Sequence, residues 1–405
     1  MRGALAVLVV FLLVPTVHAA SSWPTPTELP QDRAPCEEAL GNQAGSCIVL
    51  YALVFSLLDH GFLTTQGPPP FCPDLAAGFT TTPTISPYLG HSRTWLMPTP
   101  TFVDVVDESG CESHSFPARN TARDVHFVPG APLFVSWYLS ADEDDVSVAA
   151  DPDDLDTGAL PCLEVTAVLF DEWLGEGRPL AVDSARRSVL SSKAIAPRTL
   201  DRADPCAEGE VVRQRYRNLE VAVAHEFPLV LRPENLSWTA GMRPTVLLEW
   251  RQVQVGPVEA AHRSWNVHTG PAFRPRVVAA VANPLWVESF AATERNGTLL
   301  VNASLMSPFG AQDIDASAMR LRVLDAQGAT VLEWTGAEAE FLYAYTGHGS
   351  AEPPLGVDFR LRLPAGLPPG EYLVRLDASN WQHSANVSAE AWVSLSGGSA
   401  EPWPV

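Results

Sequence analysis

The C-terminal part of the sequence alternates apolar and charged residues with a period of two, and this pattern restricts the fold more than any other feature. Residues 319–323 give one apolar face and one arginine-bearing face, as in a half-buried strand. The turn sequence Asp-Ala-Gln-Gly at 325–328 separates them from an apolar segment at 331–334, which predicts a hairpin. Further alternating segments follow at 357–363 and 372–376, with proline and glycine between them. Short strands at this spacing predict an antiparallel β-sandwich.

The rest of the chain also contains strand-like segments. Residues 133–138 and 162–170 are rich in β-branched and aromatic side chains, which favour strands. An apolar run at 48–58 is too short to span a membrane and predicts a buried segment, either a short helix or a strand. We therefore predict a mainly β fold of tandem antiparallel β-sandwich-like domains with a disulfide-stapled N-terminal region.

One turn motif in the C-terminal region resembles a known family. Residues 369–372 (Pro-Gly-Glu-Tyr), which open a predicted strand, look like the tyrosine corner of immunoglobulin-like and PKD-like modules. The resemblance implies that the Tyr372 hydroxyl bonds back to nearby backbone. Val374 stands where a cysteine would follow in that motif, so the resemblance implies a sandwich without the inter-sheet disulfide. It implies a fold and no activity, because sandwiches host many functions.

The cysteines indicate an oxidising compartment. They form an even set of six, Cys36, Cys47, Cys72, Cys111, Cys162 and Cys206. Such a set predicts three disulfides, with fifteen possible connectivities. The sequence has no C-x2-C or H-x3-H pair, so we predict no zinc site.

The N-terminus resembles a secretory signal peptide. Arg2 supplies a positive charge, residues 5–14 are apolar, and Val-His-Ala at 17–19 offers small residues at the cleavage positions. The alternative is an N-terminal membrane anchor, although the apolar run is short for one. We predict a protein that is secreted or lies in the lumen of the secretory pathway, with association with a virus particle as a further option, and no transmembrane anchor.

Four N-x-S/T sequons agree with that compartment, because this motif is the acceptor for N-linked glycans in secreted proteins. The predicted glycosylation sites are Asn235, Asn296, Asn302 and Asn386.

Cysteines and sequons occupy different parts of the chain, since all the cysteines come before residue 207 and all the sequons after residue 234. This separation predicts at least two folding units. The predicted segments are a signal peptide at 1–19, a proline-rich leader arm at 20–34, a disulfide-containing N-terminal region at 35–270 that is β-rich from about residue 120, an immunoglobulin-like β-sandwich at 271–398 and a tail at 399–405.

The net charge of −21 argues against a nucleic-acid partner, which needs a basic surface. Part of this charge lies at 142–156, where eight carboxylates occur without a cation. We predict an exposed acidic loop. Calcium binding is the alternative, although the order of the aspartates misses the D-x-D-x-D register.

No catalytic motif stands out. Residues 90–94 lack the closing glycine of a nucleophile elbow, and His225-Glu226 has no second histidine at the spacing of a zinc protease. The sequence also lacks a phosphate-binding or dinucleotide-binding fingerprint. We predict no enzyme activity, catalytic residue, metal or cofactor. A carbohydrate-active enzyme stays open, because its paired carboxylates would meet only in three dimensions.

The basic residues indicate the kind of genome. Of 26 basic residues, only Lys193 is lysine, and arginine codons are GC-rich whereas lysine codons are A-rich. Together with the secretory features, the chain looks like a secreted glycoprotein of a GC-rich large DNA virus, a herpesvirus or a poxvirus. A GC-rich protist or alga is the alternative source.

By exclusion, the predicted function is binding. A secreted, glycosylated β protein without catalytic groups recognises other proteins through loops and edge strands. The predicted partner is an extracellular or envelope protein such as a cytokine or receptor, with immune modulation or cell attachment as the role. The alternatives are a structural or assembly glycoprotein of the secretory pathway or a virus particle, and a carbohydrate-active β-sandwich enzyme.

Overall fold

The computed structural model describes residues 30–54, 60–64, 82–83, 91–98, 124–141, 162–171, 177–188, 199–203, 206, 211–215, 225–234, 236–238, 245–253, 265–267, 275–309, 313–335, 342–344, 355–363 and 367–396. Within these residues the chain forms one α-helix, a short 3-10 helix and 23 strands in several sheets. The predicted fold class, mainly β with antiparallel sheets and disulfides, is confirmed.

The N-terminal region contains helix α1 (Pro30–Leu40) and fifteen strands. The strands are β1 (Ser46–Val54), β2 (His60–Thr64), β3 (Thr82–Pro83), β4 (His91–Pro98), β5 (Val125–His126), β6 (Leu133–Ala141), β7 (Cys162–Phe170), β8 (Pro179–Ser188), β9 (Thr199–Ala203), β10 (Val211–Arg215), β11 (His225–Leu231), β12 (Ser237–Trp238), β13 (Thr245–Val253), β14 (Trp265–Val267) and β15 (Arg276–Val281).

Eleven of these strands form one large sheet, which we call sheet 1. Its order is β3-β14-β6-β15-β1-β2-β4-β13-β7-β8, and β11 also pairs with β6. Among the described pairs only β2 and β4 run parallel. Strands β9 and β10 form one separate ribbon, and β5 and β12 form another.

Sheet 1 folds back on itself, so that β8 lies beside β11. The Val230 amide donates to Asp183 Oδ2 at 2.7 Å, and Arg187 Nη1 donates to the Glu226 carbonyl at 2.8 Å. The core enclosed in this way contains Trp137 of β6 and Trp250 of β13, whose ring centroids are 6.1 Å apart.

The apolar run near residue 48 is a strand rather than a helix. Ile48 and Leu50 of β1 enter the core of sheet 1, while Val49 and Tyr51 pack on the opposite face against α1. A strand that is covered on both faces needs a continuous apolar sequence, which explains why its periodicity did not distinguish it from a helix.

Two sequence predictions for the N-terminal region are wrong in detail. Residues 30–34 do not belong to a leader arm but form the first turns of α1, where Asp32 and Arg33 are buried. The β-rich part does not begin near residue 120, because β1 to β4 precede it. In both places tertiary packing gives structure to a segment whose local sequence signals are weak.

The C-terminal region contains eight strands in two four-stranded sheets. The strands are β16 (Trp286–Arg295), β17 (Thr298–Met306), β18 (Arg320–Leu324), β19 (Thr330–Thr335), β20 (Leu342–Ala344), β21 (Leu355–Arg362), β22 (Gly370–Ser379) and β23 (Asn386–Leu395). Sheet 2 has the order β16-β17-β21-β20, and sheet 3 has the order β19-β18-β22-β23.

The inner faces of sheets 2 and 3 share one apolar core. Leu299 and Val301 of sheet 2 and Leu321 and Val374 of sheet 3 are almost fully buried in it. The period-two pattern therefore predicted the buried faces of β18 and β22 correctly. The predicted hairpin is also present, since β18 pairs with β19 across a turn in which the Gly328 amide donates to the Asp325 carbonyl at 2.9 Å.

The predicted segment boundary between residues 270 and 271 falls before the last strand of sheet 1. Strand β15 pairs with β1 and β6, and its residues Val277 and Val281 lie in the core of sheet 1. The strands of the sandwich begin at Trp286.

A buried polar junction joins the two regions. Gln382, in the loop between β22 and β23, is 0% exposed. Its Oε1 accepts from the Val49 amide at 3.0 Å, its Nε2 donates to the Val49 carbonyl at 2.6 Å, and Arg33 Nη1 donates to its backbone carbonyl at 2.8 Å. Strand β2 pairs with β1 only from Tyr51 onward, so the Gln382 amide takes the place of a neighbouring strand before that point.

Candidate functional site

An apolar row crosses the outer face of sheet 3. Leu324 of β18 lies opposite Leu373 of β22, and Leu373 lies opposite Trp392 of β23. Val331 is the extra residue of a β-bulge beside Leu324 and is 38% exposed. Trp392 is 61% exposed, and among the described residues the only other large apolar side chain with comparable exposure is Val182 of β8. We call Val331, Leu324, Leu373 and Trp392 the apolar row.

The exposure of Trp392 follows from the register of β23. Val393 and Leu395 point into the core of the sandwich, so the alternating positions Trp392 and Ser394 face outward. Because β23 pairs along its whole length with β22, the tryptophan is held on a paired strand rather than on a loop.

A network of charged residues, which we call the ionic ladder, borders the row on one side. Arg322 and Arg375 both form ion pairs with Asp377, and Arg375 Nη1 lies 3.4 Å from Glu390 Oε1. The Ser388 hydroxyl donates to Asp377 Oδ1 at 2.6 Å. Burial acts to raise the pKa of Asp377, but the hydrogen bonds from Ser388, Arg322 and Arg375 outweigh it and hold that pKa below its ordinary value.

The other side of the apolar row carries an exposed carboxylate. Glu371 and Ser394 lie opposite each other there, and the Ser394 hydroxyl donates to the Glu371 carboxylate. The row is therefore flanked by an exposed anion on one side and by the arginine-containing ionic ladder on the other.

A tyrosine corner fixes the start of β22, the central strand of this surface. The Tyr372 hydroxyl donates to the Pro368 carbonyl at 2.8 Å, which is the hydrogen bond that the resemblance to immunoglobulin-like modules implies. Membership of that family stays a prediction.

Three of the four predicted glycosylation sites lie at exposed positions. Asn296 occupies the turn between β16 and β17, Asn302 faces outward from sheet 2, and Asn386 begins β23. A glycan could be attached at each of them without disturbing the core, although glycosylation itself stays a prediction. Asn235 lies outside the described residues.

The structure places four of the six cysteines in two disulfides, Cys36–Cys47 and Cys162–Cys206. The first ties α1 to β1. The second ties the start of β7 to a residue that follows the ribbon strand β9. Cys72 and Cys111 lie outside the described residues, so their pairing stays a prediction.

A second polar cluster is buried between α1 and sheet 1. Arg276 Nε lies 3.5 Å from Asp32 Oδ1, Arg276 Nη2 lies 3.7 Å from Glu226 Oε1, and Arg276 Nη1 donates to the Tyr138 hydroxyl at 3.1 Å. Burial raises the pKa of Tyr138, although Arg276 opposes the shift. Since one arginine lies beside both carboxylates, this arrangement favours a structural role over acid–base chemistry.

The part of the chain that the structure describes contains no group of three or more His, Cys, Asp or Glu residues arranged to hold a metal ion. The acidic segment 142–156 lies outside that part, so the alternative of calcium binding is untested. None of the described helices is long and apolar enough to cross a membrane.

Comparison with known proteins adds no functional assignment. No protein-family model matches the sequence, and no curated protein matches it. A CocE/NonD family hydrolase from Staphylococcus aureus is 8% identical, with a TM-score of 0.27 over 60% of this chain and 37% of the hydrolase. A DUF3823 family protein from Bacteroides ovatus is 9% identical, with a TM-score of 0.20 over 36% of this chain and 79% of its own. A β-glucuronidase from Parabacteroides merdae is 10% identical, with a TM-score of 0.18 over 68% of this chain and 36% of its own. Similarities this weak carry no argument.

The apolar row was not predicted from the sequence, although one signal for it was present. In residues 386–395 the outward positions read Asn, Ser, Glu, Trp and Ser, so the tryptophan occupies the polar face of an alternating strand. A tryptophan on that face indicates an exposed aromatic side chain.

Proposed function

We propose that this protein is a secreted glycoprotein that binds another protein through the outer face of sheet 3. The observation that carries the proposal is the exposed Trp392 within the apolar row. Tryptophan and arginine are the residue types most enriched among the side chains that dominate protein–protein binding energy. Here Trp392 of β23 and Arg375 of the neighbouring strand β22 lie on the same outer face, with polar residues around the row, as at the centre and rim of an interface.

Further observations are compatible with the secretory pathway. Two disulfides suit an oxidising compartment, and the described sequons are accessible. The proposed partner is an extracellular or envelope protein, such as a cytokine or a receptor, and the proposed role is immune modulation or cell attachment. The viral origin is part of the same proposal and rests on the composition alone.

The test compares Trp392 and Val182, the two most exposed large apolar side chains among the described residues. The full chain would be secreted from eukaryotic cells and measured against a panel of purified cytokines, receptor ectodomains and envelope proteins. We expect Trp392→Ala to weaken binding to the recognised protein by about 30-fold, because truncation of a central anchor costs about 2 kcal/mol. Val182→Ala on sheet 1 is the matched control and should leave the affinity unchanged.

Three outcomes would contradict the proposal. One is an equal loss of binding in both variants, and another is the absence of binding across the whole panel together with no association between copies of the chain. The third is a protein that stays bound to cells or particles instead of appearing in the medium, which would favour a structural or assembly glycoprotein. Hydrolysis of glycans by the purified chain would favour the carbohydrate-active alternative.

A further inference from the structure

We infer that the partner of the apolar row is a second copy of this chain, so that two sheet 3 faces stack in a two-fold symmetric dimer. This inference rests on the part of the proposed function that makes the apolar row a protein-binding surface, and it names a second copy of this chain, in place of a cytokine or receptor, as the protein bound there. It is carried by the way in which charged and polar residues are distributed on the two sides of the row.

A two-fold interface requires a surface that is complementary to itself, because each contact occurs twice. Suppose that two such faces stack and that the two-fold axis lies in the interface plane, along the apolar row. A residue that lies before the row in one copy then faces the residue that lies equally far after the row on the same strand of the other copy. On β22 the row residue is Leu373, with Glu371 two positions before it and Arg375 two positions after it. Glu371 of one copy therefore faces Arg375 of the other, and this pair forms twice.

The edge strand β23 is compatible with the same arrangement. Its row residue is Trp392, and the residues two positions away are Glu390 and Ser394. The symmetry places Glu390 against the uncharged Ser394, so no like charges face each other on this strand. Trp392 lies against Trp392 of the second copy, where two large aromatic side chains bury each other.

The charge pattern disfavours one alternative axis. A two-fold axis in the interface plane that runs parallel to the strands and along β22 would place Arg375 of one copy against Arg375 of the other. Like charges that face each other across an interface are unfavourable, so the axis along the apolar row is preferred to that one.

The positions of the sequons and of the N-terminal region leave room for the second copy. Asn302 faces outward from sheet 2, on the opposite side of the sandwich. Asn386 lies six residues from Trp392 on β23, roughly 20 Å along an extended strand. The Gln382 junction contacts sheet 1 at the end of β22 that is distant from the row. The two N-terminal regions therefore point away from each other in an elongated dimer.

The test uses the secreted full chain and two single charge reversals. Glu371→Arg places arginine on both sides of the row, and Arg375→Glu places glutamate on both sides. For each variant alone, the dimer dissociation constant should be at least about tenfold higher than for the wild type. The reason is that like charges then lie opposite each other across the interface of the homodimer. A mixture of the two should form a heterodimer, because both symmetry-related pairs are then opposite in charge. Sedimentation velocity and light scattering would measure the masses.

Trp392→Ser is the third variant, chosen because an exposed side chain contributes little to folding, and it should be monomeric. Arg375 also belongs to the ionic ladder, so Trp392→Ser keeps the test decisive if Arg375→Glu fails to fold. Val182→Ala should dimerise like the wild type.

Some results would overturn the dimer and leave the proposed function standing. A wild-type chain that is monomeric at high concentration, but binds a panel protein in a Trp392-dependent way, would show that the surface takes a different partner. A Trp392→Ser variant that remains dimeric would show that another surface forms the dimer. A charge-reversal mixture that does not associate would refute the proposed symmetry.

Discussion

Sheet 1 and the C-terminal sandwich consist of similar strands but are held together differently. Sheet 1 joins distant parts of the chain: Ser46 of β1 lies opposite Val281 of β15. Two disulfides and a helix that packs on this sheet with one face accompany this arrangement. In the sandwich, hairpins β16–β17, β18–β19 and β22–β23 pair neighbours in the sequence, and no cysteine follows residue 206.

This difference indicates which kind of strand pairing benefits from a disulfide. Bringing together distant segments costs chain entropy that grows with loop length, although only logarithmically. A disulfide lowers that cost by restricting the unfolded chain. The sandwich forms three of its pairs between consecutive strands across short turns and closes around one core, so it has less need of such a restraint. The described disulfides therefore lie in the region with the more non-local topology.

The largest expected effect comes from removing the disulfides of sheet 1. Loss of Cys162–Cys206, whose residues are 44 apart, should destabilise sheet 1 by about 4 kcal/mol, and loss of Cys36–Cys47, 11 apart, by about 3 kcal/mol. Paired cysteine-to-serine variants followed by hydrogen exchange and mass spectrometry would measure the change. Peptides from β16 to β23 should keep more of their protection than peptides from sheet 1. Equal loss in both regions would contradict the comparison.

The junction between the two regions should give the next largest effect. Gln382→Met keeps the side-chain volume but leaves the Val49 amide and carbonyl without their partner, at a cost of about 2–3 kcal/mol. Urea unfolding followed separately in each region should then show two midpoints that lie further apart than in the wild type. Gln327→Met, at an exposed turn position, is the control and should leave both midpoints unchanged. Unchanged midpoints in Gln382→Met would show that the junction does not couple the regions.

Two buried tyrosine hydroxyls, one in each region, should give smaller and unequal effects. The Tyr51 hydroxyl donates to the Asp32 carboxylate at 3.1 Å, whereas the Tyr372 hydroxyl donates to a neutral carbonyl. Since hydrogen bonds to charged groups contribute more, Tyr51→Phe should cost about 2 kcal/mol and Tyr372→Phe about 1 kcal/mol. The free energy of unfolding from urea titrations measures both. A larger cost for Tyr372→Phe would reverse the ranking.

The smallest effect concerns acid pH. Hydrogen bonds from Arg186 lower the pKa of Glu164 in sheet 1 from its ordinary 4.5; burial opposes this shift and Arg251 adds to it. The pKa of Asp377 in sheet 3 is likewise held below its ordinary 3.8. A carboxylate whose folded pKa is lowered stabilises the fold above its unfolded pKa, and this contribution is lost as the pH falls through the folded value.

The contribution of Glu164 to sheet 1 should therefore begin to be lost below about pH 4.5, and that of Asp377 to sheet 3 below about pH 3.8, because these are the pKa values of the two groups in the unfolded chain. Glu164→Gln should flatten the acid dependence of sheet 1 alone, and Asp377→Asn that of the sandwich alone. Urea midpoints measured across the acid range would test this. A dependence that survives Glu164→Gln in sheet 1 would assign the acid sensitivity to other groups.

The sequence predicted the strands whose environment is asymmetric and missed the features that depend on distant contacts. Residues 319–323 alternate because one face meets a core and the other meets water, and this pattern is visible in one segment. The helix at Pro30–Leu40 could not be predicted in the same way, because its buried polar residues Asp32 and Arg33 resemble those of an exposed arm. Their partners Tyr51, Arg276 and Gln382 come from elsewhere in the chain.

By itself, the sequence determined the fold class, the turn at 325–328 and the faces of β18 and β22, because these depend on the local period of polarity. It also restricted the cysteines to the region before residue 207. Only the tertiary structure decided that β15 belongs to sheet 1, that Gln382 completes β1, and that Trp392 joins Leu324 and Leu373 in one row on the outer face of sheet 3. The reason is that strand register and strand order are set by pairing between distant segments, and no local pattern encodes which segments will meet.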